Sequence, residues 1–302
     1  MKPRLKYTEI YITNVCNYSC THCQSLNNFS FKGHQRWKDY ERDYCNLSDQ
    51  LDIDQIQIIG GEPTLNPEFE KWVFGISNLW PKSKLQIATN GTRLDKITKE
   101  IYQVLLKHNG TLWITCHDIQ LYDGFLDFAK TFLNNIVSDN FDPTVKLKTR
   151  TLIDENGVEV ILDWTQSFVP SVLEVLDDQS LTIKYNSDPV KAHEICGFKT
   201  CHQINKGKLY KCPLVSVLPD FLDQFDVNMS PDDKLLAYSY EPLTSDGNVS
   251  EFVNAINDPI LQCKLCPSNY TKHNFVGTEK KIKIIPRQVT QSPSTNASSR
   301  SL

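Results

Sequence analysis

Apolar residues in the first half of the chain recur in two alternating rhythms. Short runs at 5–13, 53–59, 85–88, 112–115, 145–152 and 181–185 have the length and β-branched content of strands. Between them, residues 36–47, 67–79, 94–108, 123–138 and 171–176 show helical spacing. Pro67 suits the first turn of a helix, where its missing N–H would be unpaired anyway. Asn109-Gly110 and Asn156-Gly157 punctuate the pattern as turns. The stretch 158–164 fits either a hairpin strand or the opening of the last helix. The alternation predicts βα units around a parallel sheet, and it stops near residue 188.

Composition narrows the class. The 302 residues, 40% hydrophobic and 23% charged, allow one large domain, or about 200 residues plus a smaller unit. A net charge of -4 gives no general argument for nucleic acid or an anionic membrane. Lys280-Lys281-Ile282-Lys283 is locally basic and reads as solvated surface. No apolar run approaches the roughly 20 residues that span a bilayer, and Met1-Lys2-Pro3-Arg4 leads into a strand rather than a signal peptide, so a cytoplasmic location is expected. The tail beyond 288, rich in Ser, Thr, Asn and Pro, is expected to be disordered.

The ten cysteines are grouped: three in 16–23, five in 196–266, with Cys45 and Cys116 alone as small apolar residues. Grouping of this kind points to metal rather than disulfides. Cys16, Cys20 and Cys23, spaced by four and three directly after the first strand, can wrap one compact inorganic centre. Three thiolates on a [4Fe–4S] cluster leave one iron open. Zinc would need a fourth protein ligand, for which His22 is the nearby candidate.

This loop, followed by Gly60-Gly61-Glu62-Pro63 at the end of the second apolar run, resembles the radical S-adenosylmethionine (SAM) enzymes. The resemblance implies a partial (β/α)6 TIM-like barrel, with chemistry at the C-terminal ends of the strands. It implies that Cys16, Cys20 and Cys23 hold a [4Fe–4S] cluster whose fourth iron takes SAM. It further implies reductive SAM cleavage to a 5′-deoxyadenosyl radical, which takes hydrogen from substrate. Gly60, Gly61, Glu62 and Pro63 would hold the SAM amino group, although tight turns also use glycine and a helix start also favours an acid. His22 would approach adenine, or simply face solvent. Thr89 and Asn90 resemble strand-three SAM contacts, with a turn-forming Asn-Gly as the plainer reading. Lys148 and Arg150 alternate on strand five, and Arg150 is favoured for the SAM carboxylate because its fork binds bidentately. His117-Asp118 could orient substrate or exchange a proton, though a satisfied loop pair accounts for it as well.

Cys196, then Gly207 and Cys212 with four residues between, then Cys263-Lys264-Leu265-Cys266, resembles the opening of SPASM and twitch extensions, which bind auxiliary [4Fe–4S] clusters. One auxiliary cluster is expected. Gly207 fits a hairpin turn with 208–210 returning, and five cysteines compete for four positions, leaving either Cys196 or Cys201 spare. A four-cysteine zinc ribbon is the alternative.

These readings divide the chain into a core at 1–187, a cysteine-rich unit at 188–275 and a tail at 276–302. They predict an enzyme acting on a peptide, sugar or cofactor precursor, with a flavodoxin or ferredoxin as electron donor. The competing reading is a non-enzymatic zinc or iron–sulfur binding module.

Overall fold

A computed structural model describes residues 2–20, 22–141, 149–164, 167–168, 171–269 and 273–274. The strands are β1 (Arg4–Tyr11), β2 (Asp52–Ile59), β3 (Lys84–Thr89), β4 (Thr111–Cys116), β5 (Ile136–Phe141), β6 (Thr149–Asp154), β7 (Glu159–Trp164), β8 (Ser167–Phe168), β9 (Leu173–Val175), β10 (Leu181–Ile183), β11 (His202–Asn205), β12 (Lys208–Tyr210), β13 (Val227–Asn228) and β14 (His273–Asn274). The α-helices are α1 (Trp37–Gln50), α2 (Phe69–Leu79), α3 (Lys99–Lys107), α4 (Tyr122–Phe132), α5 (Pro189–Ile195), α6 (Pro213–Gln224), α7 (Pro231–Tyr238) and α8 (Val249–Ala255).

Nine strands form one sheet in the order β12-β11-β1-β2-β3-β4-β7-β6-β5. The central pairings from β11 through β1, β2, β3 and β4 to β7 are parallel, and both margins are antiparallel. The fold is therefore mixed α/β with a large, mostly parallel sheet, and the outer strands β12 and β5 are not paired with each other. Closure of the sheet, part of the barrel expectation, is not seen among the described residues.

Alternation within the strands sends the two sheet faces to different environments. Ile10, Ile56, Ile58, Leu85, Ile87, Leu112, Ile114, Val160 and Leu162 join Trp72, Ile76, Ile101, Leu105 and Phe125 of the helices in one buried core. On the opposite face, Tyr7 stands beside Gln55, and Glu9 beside Gln57, which in turn neighbours Gln86. A second core joins Tyr11, Leu26, Phe29 and Phe31 to Val217, Phe221 and Phe225 of the C-terminal half.

Of the two readings left open for 158–164, the structure has the hairpin: β7 runs antiparallel to β6 before it and parallel to β4. Three expected elements need correction. The helix expected over 123–138 ends at Phe132; Asn135 then takes a left-handed backbone (φ 44°), and β5 follows. The helix expected over 171–176 is instead β9, which pairs with β10 in a separate three-stranded sheet. The strand expected over 181–185 is thus absent from the large sheet, and β11 lies beside β1 in its place. Lys148, the first part of the 145–152 run and the tail 276–302 lie outside the described residues.

Candidate active site

The second motif is fastened to the cysteine loop by backbone. Past the ends of β1 and β2 two further bonds join the chains: Gly61 N–H donates to the Thr13 carbonyl at 2.7 Å, and Glu62 N–H to the Val15 carbonyl at 2.8 Å. The glycines are required by this approach. A Cβ on Gly60 would stand 2.7 Å from Thr13 O, and one on Gly61 would meet the Val15 carbonyl and stand 3.0 Å from Cys16 Cβ. Their smallness is thus used against the chain's own loop. Asn66 adds a further tie, its amide donating to Ile12 O at 2.7 Å and Gln35 O at 2.9 Å.

Glu62 is 1% exposed. Its Oε1 accepts from Thr64 N–H (3.1 Å), Thr64 Oγ1 (2.5 Å) and Thr89 Oγ1 (2.7 Å), and its Oε2 from Asn90 N–H (2.6 Å). Burial pushes its pKa up, and these donors pull against that by favouring the carboxylate. Pro63 opens the short 3-10 turn that Glu62 caps. Asn90 continues the chain of contacts: its amide donates to Asn17 Oδ1 at 2.9 Å and reaches Cys16 Sγ at 3.8 Å. Gly60, Gly61, Glu62, Pro63, Thr89 and Asn90 are therefore gathered at one end of the sheet with the loop of Cys16.

Within that loop the thiols press on one another. Burial raises the Cys20 pKa first, and the charges of Cys23 and Cys16 raise it further. The Cys23 pKa is also raised by burial, against the backbone N–H groups of Asn27, Ser25, Asn28 and Leu26. Those amides form a cradle that favours an anionic sulfur. Crowded thiols, two of which resist ionisation as free groups, suit a cationic centre, whose binding deprotonates them. The donor set thus fits an iron–sulfur cluster held by Cys16, Cys20 and Cys23.

His22 sits in the same loop with a left-handed backbone (φ 63°), and Ser171 N–H donates to its Nδ1 at 3.3 Å. Arg150 is placed elsewhere. On β6 it forms a two-pronged ion pair with Asp139 of β5, at 2.7 and 2.5 Å, and covers the Phe141 ring. It is not joined to the Glu62–Asn90–Cys16 network. His117, just past β4, meets the Tyr18 ring edge-on at 5.7 Å, and burial pushes its pKa down to about 4. Asp118 caps the following turn by accepting from Gln120 N–H at 3.0 Å.

The C-terminal cysteines separate into four and one. Cys196, Cys212, Cys263 and Cys266 line one cavity, together with His193 and Lys211. The hairpin expected at Gly207 delivers Cys212: Lys206 and Gly207 are both left-handed (φ 51° and 71°), the turn that matches strand twist. Cys212 then heads α6, with the N–H groups of Val215 and Leu214 on its sulfur and burial raising its pKa to about 11. The Cys266 thiol is pushed up by burial, then by Cys212, Cys196 and Cys263. His193 Nε2 is buried without a hydrogen-bond partner on this wall. Four thiols and an orphaned imidazole nitrogen fit a cluster here. Cys201 is off the cavity wall, its Sγ donating to Glu9 Oε1 at 3.0 Å while Gln203 donates to Oε2 at 2.9 Å; burial and Glu9, then Cys212 and Cys196, push its thiol up. Among the described residues no three of His, Cys, Asp or Glu are drawn close enough to hold a single metal ion. Thiolates bound to different irons of a cluster stand farther apart than the ligands of one ion.

Sequence reasoning passed over Asn17, Asn66, Glu9 and Lys211. Asn17 and Asn66 each lie within three residues of a motif that was read. Nothing local distinguishes Glu9 or Lys211, whose neighbours are distant in the chain.

Residues 10–120, which span the three-cysteine loop through His117 and Asp118, match the Radical SAM superfamily. The likeness to that superfamily is confined to this N-terminal part of the chain. Among curated proteins it is 27% identical over 165 residues to a GTP 3′,8-cyclase of Campylobacter jejuni subsp. doylei, covering 52% of this chain and 51% of the relative. A GTP 3′,8-cyclase of Nautilia profundicola is 26% identical over 106 residues, 34% of this chain and 33% of that one. The chain spans a third to a half of the length of these relatives. Among solved structures, Streptococcus suis SuiB bound to its precursor peptide SuiA is similar at 25% identity, covering 42% of this chain and 30% of SuiB, with a TM-score of 0.34. Among the described residues no helix is long and apolar enough to cross a membrane.

Proposed function

We propose that this protein is a radical SAM enzyme with one auxiliary iron–sulfur cluster. The observation that carries the reading is the interlock of Gly61 and Glu62 with Thr13 and Val15, which builds the three-thiol loop and the end of β2 into one rigid unit. When bound, the loop cluster and SAM supply a 5′-deoxyadenosyl radical that abstracts hydrogen from an unactivated carbon, chemistry that belongs to the cofactor.

The residues around it bind and orient. Cys16, Cys20 and Cys23 hold iron, and the N–H groups of residues 25–28 steady the Cys23 sulfur. The backbone of Gly60 and Gly61 lies beside the open side of the loop. Glu62, spent on Thr64, Thr89 and Asn90, acts here as the strut that joins the ends of β2 and β3. His22 offers its backbone and ring for the adenine. Cys196, Cys212, Cys263 and Cys266 hold the auxiliary cluster, and a flavodoxin- or ferredoxin-type protein in the cytoplasm supplies electrons.

The substrate is a small polar molecule or a peptide. The polar face carrying Tyr7, Glu9, Gln55, Gln57 and Gln86 favours a hydrogen-bonding substrate over an apolar one. The names of the curated relatives make a nucleotide the first compound to assay.

Anaerobic purification, iron and sulfide counting, and assay of 5′-deoxyadenosine after dithionite and SAM test the proposal. About eight irons per chain, as two [4Fe–4S] clusters require, with 5′-deoxyadenosine formed, supports it. Zinc in place of iron, or intact SAM, overturns it.

A further inference from the structure

The four-cysteine cavity shares its wall with a lysine that has no carboxylate partner. Lys211 is 2% exposed. Its backbone is pinned on both sides, the N–H donating to Tyr240 Oη at 2.9 Å and the carbonyl paired with His202 Nδ1 at 2.8 Å. Its Nζ donates to the neutral carbonyl of Ile256 at 2.6 Å, at the end of α8. Lysine is almost never fully buried unless paired. Among the described residues no acidic side chain forms an ion pair with it, and it shares the cavity wall with the thiols of Cys196, Cys212, Cys263 and Cys266.

We propose that Lys211 is the fixed counter-charge of the C-terminal iron–sulfur centre and sets its reduction potential. This rests on the auxiliary-cluster reading above. A cluster with four thiolates is net negative, and one unit more so once reduced. A buried ammonium on the cavity wall stabilises the reduced form more than the oxidised form, in a medium where charges are weakly screened. A net-negative cluster in the cavity would offset the cost of burying an ammonium without a paired carboxylate. The tie to Ile256 positions the ammonium and holds its long side chain in one place.

The test uses the full chain with Cys16, Cys20 and Cys23 replaced by Ala, so that one centre remains, reconstituted without oxygen. Iron is counted, and the potential is read by electron paramagnetic resonance during redox titration. Lys211→Gln keeps a donor for Ile256 O but removes the charge; Lys211→Arg keeps both. Lys211→Gln is expected to hold iron and to shift the reduction equilibrium at least tenfold toward the oxidised form. For one electron this is about 59 mV more negative. Lys211→Arg should stay within threefold of the parent. Iron lost from Lys211→Gln but kept by Lys211→Arg also supports the charge. A Lys211→Gln potential within threefold of the parent overturns the proposal, as does loss of iron from both variants, which marks a packing role. Zinc or no metal in the parent overturns the auxiliary-cluster reading along with it, whereas iron with an unmoved potential overturns the lysine alone.

Discussion

The backbone N–H of Glu62 donates to the carbonyl of Val15 at 2.8 Å, one residue before the first thiol of the cysteine loop. With the neighbouring Gly61–Thr13 bond, it ties the two chains together past the ends of both strands. The loop that must hold iron is therefore anchored to the sheet at its first ligand rather than tethered at its two ends.

Gly61→Ala tests that anchor. The added methyl meets the Val15 carbonyl, and backbone cannot turn aside as a side chain can. The expected cost is roughly 1–3 kcal/mol of stability, as for other overpacked sites. Iron held by Cys16, Cys20 and Cys23 should be lost while the C-terminal iron is kept, halving the iron count. Unchanged iron in Gly61→Ala would show that the loop forms independently of β2.

Glu62→Gln probes the strut. One carboxylate oxygen becomes an NH2 group facing a donor, either Asn90 N–H or the Thr64 and Thr89 donors. A buried donor left without an acceptor costs about 1–3 kcal/mol. The denaturant midpoint should fall with the slope unchanged. A midpoint equal to the parent's would mean that these donors find other acceptors.

The separation of Cys201 from the four-cysteine cavity gives a sharp contrast. Cys201→Ala should leave the iron content of the C-terminal centre intact, whereas Cys196→Ala, Cys212→Ala, Cys263→Ala and Cys266→Ala should each deplete it. Cys201→Ala should instead lower stability modestly, by removing a donor from the buried Glu9 carboxylate. Metal analysis of the five proteins settles which four bind.

His117 sets a pH window. Its folded pKa of about 4 lies below the unfolded 6.5, so between these values the unfolded chain binds more protons. Stability is therefore full above about pH 6.5 and is lost as pH falls toward 4, by at most roughly 3 kcal/mol. The His117→Gln protein should show a shallower loss over that window than its parent in denaturant titrations. Parallel curves would place the proton-linked loss on other groups.

The parallel strands were readable because β1 to β4 carry long Ile- and Leu-rich runs that end at glycine, asparagine or cysteine motifs. The motifs were readable for a related reason: Gly60, Gly61 and the loop cysteines are residue types with few alternative uses. What failed lies where local pattern underdetermines the partner. Residues 171–176 are too short for period alone to separate helix from strand; the strand that decides for β9, β10, was read as a strand but of the large sheet. Arg150 looked available on its strand because Asp139, its partner, lies just past the segment read as helix, on a strand that the sequence pattern did not announce. Whether Cys196 or Cys201 was spare depended on Glu9, almost two hundred residues earlier and silent in the spacing of cysteines.

The pairing of Thr8 with His202 joins the beginning of the sheet to a strand made much later. While the ribosome works through the intervening chain, one edge of β1 has no partner. At about 5–20 residues per second, the 194 positions from 8 to 202 take roughly 10–40 s to synthesise. During that interval the nascent protein exposes a strand edge, although the cysteine loop and its anchor at Gly61 and Glu62 are already made. An exposed edge of this kind can pair with another chain, so completion of β11 is also what protects the finished sheet from aggregation.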